Sequence, residues 1–334
     1  MKIMIFGASG SGTTTLAHRL SIELGFSHLD TDDYYWLKSE IPFELKRDPQ
    51  ERDDLFTNDF NKNENIVVSG SILNWNAQFV NFFDLVVFLW IPSAIRIPRL
   101  IKRETALYGE LMETDDYWKK KHAEFIEWAS GYDQPGFPSR SFEQHTKWLN
   151  KLKTPILRLE SDITIEERLR LVNEKIEHLS IHQELAFTEK NEINRTLYDL
   201  LLSADPSIEV INSYTHNNQI FVALYRTKII GAFVLLPLNK STIEIKNIAV
   251  KAQYQGIGLG KRLLKKAVNA SIAKGFKTLR IATGNSSIGQ LALYQKENFE
   301  LVGMNHNFFI DHYPHPIIEN GIRCKHLLIL EKSI

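Results

Sequence analysis

Residues 247–264 read Asn247-Ile248-Ala249-Val250-Lys251-Ala252-Gln253-Tyr254-Gln255-Gly256-Ile257-Gly258-Leu259-Gly260-Lys261-Arg262-Leu263-Leu264. An apolar, strand-like start runs into glycines two positions apart. A helical pattern follows at once, with Leu263, Leu264, Ala267 and Val268 on one face. Glycines let successive backbone N–H groups point into one concavity and let a phosphate come close to the main chain. The dipole of the helix that follows favours an anion at the same place. A glycine pair alone also serves as a tight packing turn; the strand before it and the helix after it point to a pyrophosphate loop.

Outward from this loop, the second half of the chain reads as an α+β layer. An amphipathic helix is expected at 192–202, and strands at 219–225, 229–236 and 242–250, the first two joined by a turn at Arg226-Thr227-Lys228. A helix at 260–273, a strand at 277–282, a helix at 288–297 and two closing strands follow. The half resembles the GNAT acetyltransferase superfamily over about residues 185–334. Gln255-Gly256-Ile257-Gly258-Leu259-Gly260 matches the family's Gln/Arg-x-x-Gly-x-Gly/Ala loop, which binds the pyrophosphate of acetyl-CoA. Residues 244–250 are similar to the family's fourth strand, whose backbone lines the pantetheine arm. Leu293-Tyr294-Gln295-Lys296-Glu297-Asn298-Phe299 resembles its Leu-Tyr-x-Lys-x-Gly-Phe segment. Asn298 replaces the usual helix-ending Gly, a change the left-handed region tolerates. The family's helix-starting Asn, seven residues before the Tyr, is Ser287 here, with Asn285 nine before.

This resemblance implies acetyl-CoA as cofactor. Its contacts would be Ile248, Val250, Gln255, Gly256, Ile257, Gly258, Leu259, Gly260, Lys261, Asn285 and Ser287. It also implies Tyr294 as the general acid that protonates the leaving thiolate. Glu244, on the strand that faces the acetyl group in this fold, is the candidate general base, with an ordered water as the alternative. A backbone N–H near Ile248 would meet the oxyanion. Lys261, Arg262, Lys265 and Lys266 form a basic cluster that reads as a solvated helix face, of which Lys261 and Arg262 are near enough to the loop to meet a phosphate. Residues 308–316, rich in aromatics and carrying His312 and His315, fit a substrate-pocket wall better than a metal site.

The first half opens on a short apolar strand followed by Gly7-Ala8-Ser9-Gly10-Ser11-Gly12-Thr13-Thr14. This is the spacing Gly-x4-Gly-Lys-Ser/Thr of a phosphate-binding loop, with Thr13 in the lysine's place. A hydroxyl does not replace the charge that lysine puts on β- and γ-phosphates. Thr14 keeps the hydroxyl that would coordinate magnesium. Apolar runs alternating with helical patterns argue for a parallel α/β sheet. Residues 1–178 resemble small nucleoside- and shikimate-type P-loop kinases. In that resemblance Asp32, in Asp30-Thr31-Asp32-Asp33, is the carboxylate that would activate an acceptor. Arg99 and Arg103, four apart on one helix face, would grip phosphates. Salt bridging with Glu104 and its neighbours is the plainer use of these arginines. The half either binds ATP with an arginine in place of the lysine or is a degenerate sensor.

Composition sets the frame. A chain of 334 residues is long for one core. Residues 1–178 carry 22 Lys and Arg against 28 Asp and Glu, residues 179–334 carry 18 against 12, so a formal charge of zero hides −6 and +6. The single cysteine, Cys324, excludes an intramolecular disulfide framework and a cysteine-rich zinc module. The longest apolar run, residues 85–91, is far short of the roughly 20 residues of a membrane span. The start of the chain shows no signal-peptide pattern. The expectation is a cytoplasmic α/β protein: a P-loop NTPase-like parallel-sheet domain at 1–180 fused to an α+β GNAT domain at 181–334. No nucleic-acid or membrane partner is expected. The leading function is acetyl-CoA-dependent N-acetylation of a primary amine on a small molecule or peptide, with a nucleotide at the P-loop. The competing one is an ATP- and magnesium-dependent kinase of a small molecule or nucleotide, with an accessory acetyl-CoA domain.

Overall fold

The computed structural model describes residues 1–73, 75, 77–215 and 219–334. Its contacts separate into two compact units, Met1–Glu177 and His178–Ile334.

The first unit comprises, in chain order, β1 (Lys2–Gly7), α1 (Thr13–Leu24), β2 (Ser27–Asp30), α2 (Thr31–Tyr35), α3 (Pro49–Lys62), β3 (Ile66–Ser69), β4 (Leu85–Leu89), α4 (Ser93–Thr114), α5 (Asp116–Ser130), α6 (Phe142–Leu149), β5 (Ile156–Leu159) and most of α7 (Ile165–Glu184). The strands form one parallel sheet in the order β2-β3-β1-β4-β5. Every residue of β3 and β4 is buried, which is why these strands read as unbroken apolar runs and not as alternation. The chain leaves β1 toward β2 and β3 on one side and later returns to β4 on the other. The sheet therefore switches direction at β1, where a crevice opens beyond the strand's carboxyl end.

The base of the α4–α5 hairpin is pinned by an ion pair. Arg96 on α4 is fully buried. Its Nη2 donates to Asp133 Oδ2 at 2.8 Å and its Nη1 to the Ala129 carbonyl at 2.6 Å. Asp133 also accepts from Trp90 Nε1 at 2.8 Å, which ties the hairpin to the end of β4. Removing one partner of such a pair strands a charge in the interior, at a cost of about 3–5 kcal/mol. Asp133→Ala is therefore expected to shift the urea unfolding transition of this unit by about that amount, and Asp133→Asn by less. A midpoint within error of the parent would show that the pair does not hold the hairpin.

The second unit takes the end of α7 and continues through β6 (Ala186–Lys190), α8 (Arg195–Leu202), α9 (Ile208–Thr215), β7 (Gln219–Tyr225), β8 (Lys228–Pro237), β9 (Thr242–Val250), α10 (Leu259–Ala273), β10 (Thr278–Gly284), α11 (Ile288–Lys296), β11 (Glu300–Asn305), α12 (Phe308–His312), the short pair β12 (Ile318–Glu319) and β13 (Ile322–Arg323), and β14 (Leu327–Ser333). Helix α8 starts three residues later than its apolar pattern suggests, because Asn194 caps it by accepting from the Leu197 N–H at 2.9 Å. The main sheet has the order β11-β14-β10-β9-β8-β7-β6, with β9 and β10 parallel and the other neighbours antiparallel. Helices α10 and α11 pack on one face, burying Leu259, Leu263, Leu264 and Tyr294 against Phe233 and Ile245. Helices α8 and α9 pack on the other, against Val222, Val234 and Ala249. Among the described residues no helix is long and apolar enough to cross a membrane.

Candidate functional site

In the second unit, the parallel strands β9 and β10 pair only from Thr242↔Thr278 to Ile245↔Ile281, although both run on beyond. A register shift follows on β9, where Val234 faces Asn247 and Leu235 faces Ile245, leaving Lys246 as the extra residue. Past this bulge the strands part. The Lys251 N–H bonds to Ile230 on β8 at 3.0 Å, so the alternation of the strand turns the peptide groups of Val250 and Ile248 toward the parted edge. Gln255 Nε2 reaches the Val250 carbonyl on that edge at 3.0 Å.

The loop lies at the mouth of this opening. Gly256 and Gly258 have φ of +78° and +83°, a region closed to most side chains. Gly258 is the N-cap of α10 and no side chain caps the helix there, so its first N–H groups are available to an anion. His182 at the end of α7 braces the loop: its Nε2 donates to the Ile257 carbonyl at 2.7 Å. Arg262 in turn donates from Nη1 to the His182 carbonyl at 2.7 Å. This arginine is thus a brace for the loop, and Lys261 pairs with Glu297 at 2.7 Å.

Tyr294 on α11 is buried in the cluster against which Ile248 and Val250 pack, and burial pushes its phenol well above the usual tyrosine range. Glu244 lies in the paired stretch of β9, beside Arg280 of β10. Its neighbours Ile243 and Ile245 face the Tyr294 cluster, so Glu244 itself projects from the opposite face of the sheet. Asn285 accepts from the Lys325 and His326 N–H groups at 2.7 and 2.8 Å, and thereby holds the start of β14. Ser287 donates to Glu319. His312 bonds its own helix at Phe308, and no group of three or more metal-binding side chains exists among the described residues.

In the first unit, the crevice at β1 is a chamber of about 600 Å³. Gly7, Ala8, Ser9, Gly10, Thr13 and Thr14 line one end. Ser11 is buried beneath it, and Gly12, at φ +91°, caps α1 without a side chain. Arg168 supports the loop from its buried side, donating from Nη1 to the Ser11 carbonyl at 2.8 Å. Asp32 lines the chamber, where enclosure and then its neighbour Asp30 raise its carboxyl above the usual range, against the opposing charges of Arg140 and Arg103. Arg103 lines it too, bound to Glu104 at 3.0 Å. Arg99 instead pairs with Asp162 at 3.0 Å and is not part of the wall. The motif reading does not single out Arg140 or the aromatic lining of Trp36, Trp75, Tyr108, Trp118 and Trp128. One signal was present: all six tryptophans fall between residues 36 and 148.

A parted parallel pair beside a glycine turn and an uncapped helix defines a cleft for an extended ligand with an anionic end. The acetyltransferase (GNAT) family model matches residues 180–299. YvbK of Bacillus subtilis, an uncharacterized N-acetyltransferase, is 42% identical over 148 residues, 44% of this chain and 96% of its own. A GNAT family acetyltransferase from Elizabethkingia anophelis, solved with acetyl-CoA bound, is 43% identical over 45% of this chain and 99% of its own, with a TM-score of 0.44. The cytidylate kinase of Archaeoglobus fulgidus is 28% identical over 140 residues, 37% of this chain and 76% of its own. The chain belongs to the acetyltransferase (GNAT) family and is an acetyltransferase.

One buried group near the chamber gives a pH test. His145 is fully buried, with Nδ1 2.7 Å from Tyr132 Oη and Nε2 3.1 Å from Ser71 Oγ, a chamber-wall residue. Burial lowers its pKa to about 3. The unfolded chain takes up a proton here near pH 6.5, whereas the folded one stays neutral. The neutral site's contribution is complete above pH 6.5 and is lost as pH falls from there toward 3, at about 1.4 kcal/mol per pH unit. Between pH 7.5 and 5.5 the urea midpoint of the parent should fall more steeply than that of His145→Gln. Parallel slopes would contradict this assignment.

Proposed function

We propose that the second unit transfers the acetyl group of acetyl-CoA to a primary amine of a small molecule or peptide. The parted β9–β10 edge with the Gln255–Gly260 loop at its mouth carries this reading. The loop amides and the open end of α10 suit a pyrophosphate, and the peptide groups of Ile248 and Val250 suit the amide-bearing arm. Acetyl-CoA brings an already activated thioester. The protein's part is to orient the amine and move protons. Tyr294, a buried phenol, is the proton donor in this reading; Glu244, on the opposite face of the sheet, is the candidate base, with an ordered water as the alternative.

The first unit, in the same proposal, is a P-loop kinase-like domain that binds a nucleotide with weak or no phosphoryl transfer. The loop's spacing, the sheet's switch point and the similarity to a cytidylate kinase support it. Thr14, a hard oxygen donor on the chamber wall, is the group that would meet magnesium carried in with the nucleotide. The Asp32-bearing chamber also favours a second reading, in which this unit phosphorylates a small acceptor and the acetyltransferase unit is accessory. A single, buried cysteine fits a reducing cytoplasm.

Thiol release from acetyl-CoA across a panel of amines tests the leading reading; no release and no acetyl-CoA binding would sink it. Tyr294→Phe should lower kcat about a hundredfold while leaving acetyl-CoA affinity near that of the parent. The alkaline fall of kcat/KM in the parent should begin above pH 10, because the phenol stays protonated beyond its ordinary range. An unchanged kcat in the variant removes Tyr294 from the reaction.

A further inference from the structure

The phosphate loop of the first unit lacks its lysine at Thr13, yet its chamber contains a cation that reaches the loop. Arg140 stands on the segment between α5 and α6, 127 residues away in sequence from Thr13. Its Nη2 donates to Ser9 Oγ, inside the loop, at 3.0 Å. Its guanidinium lies over Trp128, with Cζ 4.9 Å from the ring centroid. Its Nε is buried without a partner among the described residues. The other chamber cations have partners on the chamber wall itself, Arg103 in Glu104, Lys121 in the Trp118 ring and Lys46 in the Tyr35 ring, and among the described residues none of the three hydrogen-bonds the loop.

The segment that presents Arg140 is braced on both sides. Trp128 Nε1 donates to Ser139 Oγ at 2.9 Å. Ser141, buried, caps α6 by accepting from the Gln144 N–H at 3.2 Å. A guanidinium held this way loses little further freedom when it binds. One edge is spent on Ser9, a weak neutral acceptor, and Nε is unspent; a phosphate oxygen offers a charge-assisted bond in place of these. Burial opposes the charge of Arg140, and the carboxylate of Asp32 is the first of the groups that favour it.

We propose that Arg140 is the surrogate for the missing lysine, and that it holds the polyphosphate end of a nucleotide against the loop amides. The proposal rests on the nucleotide-binding reading above and adds the residue that makes a lysine-less loop competent. It also accounts for the tolerance of threonine at position 13, since a second cation beside Arg140 would be repelled by it.

Calorimetry on the full chain decides it, with ATP–magnesium, inorganic tripolyphosphate and adenosine as probes. Arg140→Gln should weaken ATP–magnesium and tripolyphosphate by about tenfold or more, the loss of one charge-assisted bond, and leave adenosine unchanged. Arg140→Lys should recover part of the loss. Adding Thr13→Lys to Arg140→Gln should restore ATP–magnesium binding, whereas Thr13→Lys in the parent should change it by less than about threefold, because the charge is already supplied. A folded Arg140→Gln that binds ATP–magnesium like the parent overturns the proposal. So does a tenfold gain from Thr13→Lys alone, and that arm decides if Arg140→Gln does not fold. If the parent binds neither ATP–magnesium nor tripolyphosphate, the nucleotide reading itself falls, and Arg140 with it.

Discussion

Both units depend on the same backbone constraint. A strand ends, the chain turns through a glycine held at positive φ, and a helix begins with no side chain on its first amides. Gly12 does this before α1 at φ +91° and Gly258 before α10 at +83°. A serine or aspartate at either place would satisfy a helix amide from within and occupy the space where an anion would lie. Glycine gives up that stabilisation, and the orphan N–H groups are left without a side-chain cap, open to an anion. The rest of each unit then has to hold the loop still. His182 does so for one through the Ile257 carbonyl, and Arg168 for the other through the Ser11 carbonyl. In each case a side chain from α7 donates to a loop carbonyl.

How much of this can be read from the residues differs with the physics. Both glycine loops are legible because positive φ imposes composition: only glycine, and sometimes asparagine, does the job. The sheets are legible because burial on both faces writes apolar runs such as residues 85–89, and partial burial writes alternation such as 242–250, although the buried side changes face across the bulge at Lys246. The end of α7 is less so, since a helix that continues from one unit to the next carries no capping signal where the units divide. The parting of β9 and β10 leaves no mark at all. It is a relation between two strands, set by a bulge at Lys246 whose own residue type demands nothing.

Side chains that act across the fold are the least legible. Arg140 follows Pro138-Ser139 in a loop with no periodicity, and its meaning comes from Ser9 and Trp128, which the chain brings to it only on folding. Arg99 shows the reverse. Its spacing from Arg103 is the spacing of a phosphate grip, yet Asp162 claims it and the chamber closes without it. An i, i+4 pair states which helix face two residues share, not which way that face looks.

The same distinction explains the charges. A unit with a net charge of −6 is a poor attractor for a polyphosphate at long range, and one of +6 a good one. At physiological salt, however, screening makes the interaction between exposed charges fall off over about 8 Å, so what an anion meets at the loop is set by a few groups within that reach. In the second unit Lys261 and Arg262 are engaged by Glu297 and His182, and the first amides of α10 carry no side-chain cap. In the first, whose net charge is acidic, the guanidinium of Arg140 stands on the chamber wall and donates to the loop at Ser9. Local order therefore outweighs net charge in both, and a glycine turn supplied with one well-held cation can serve an anion on a surface of either sign.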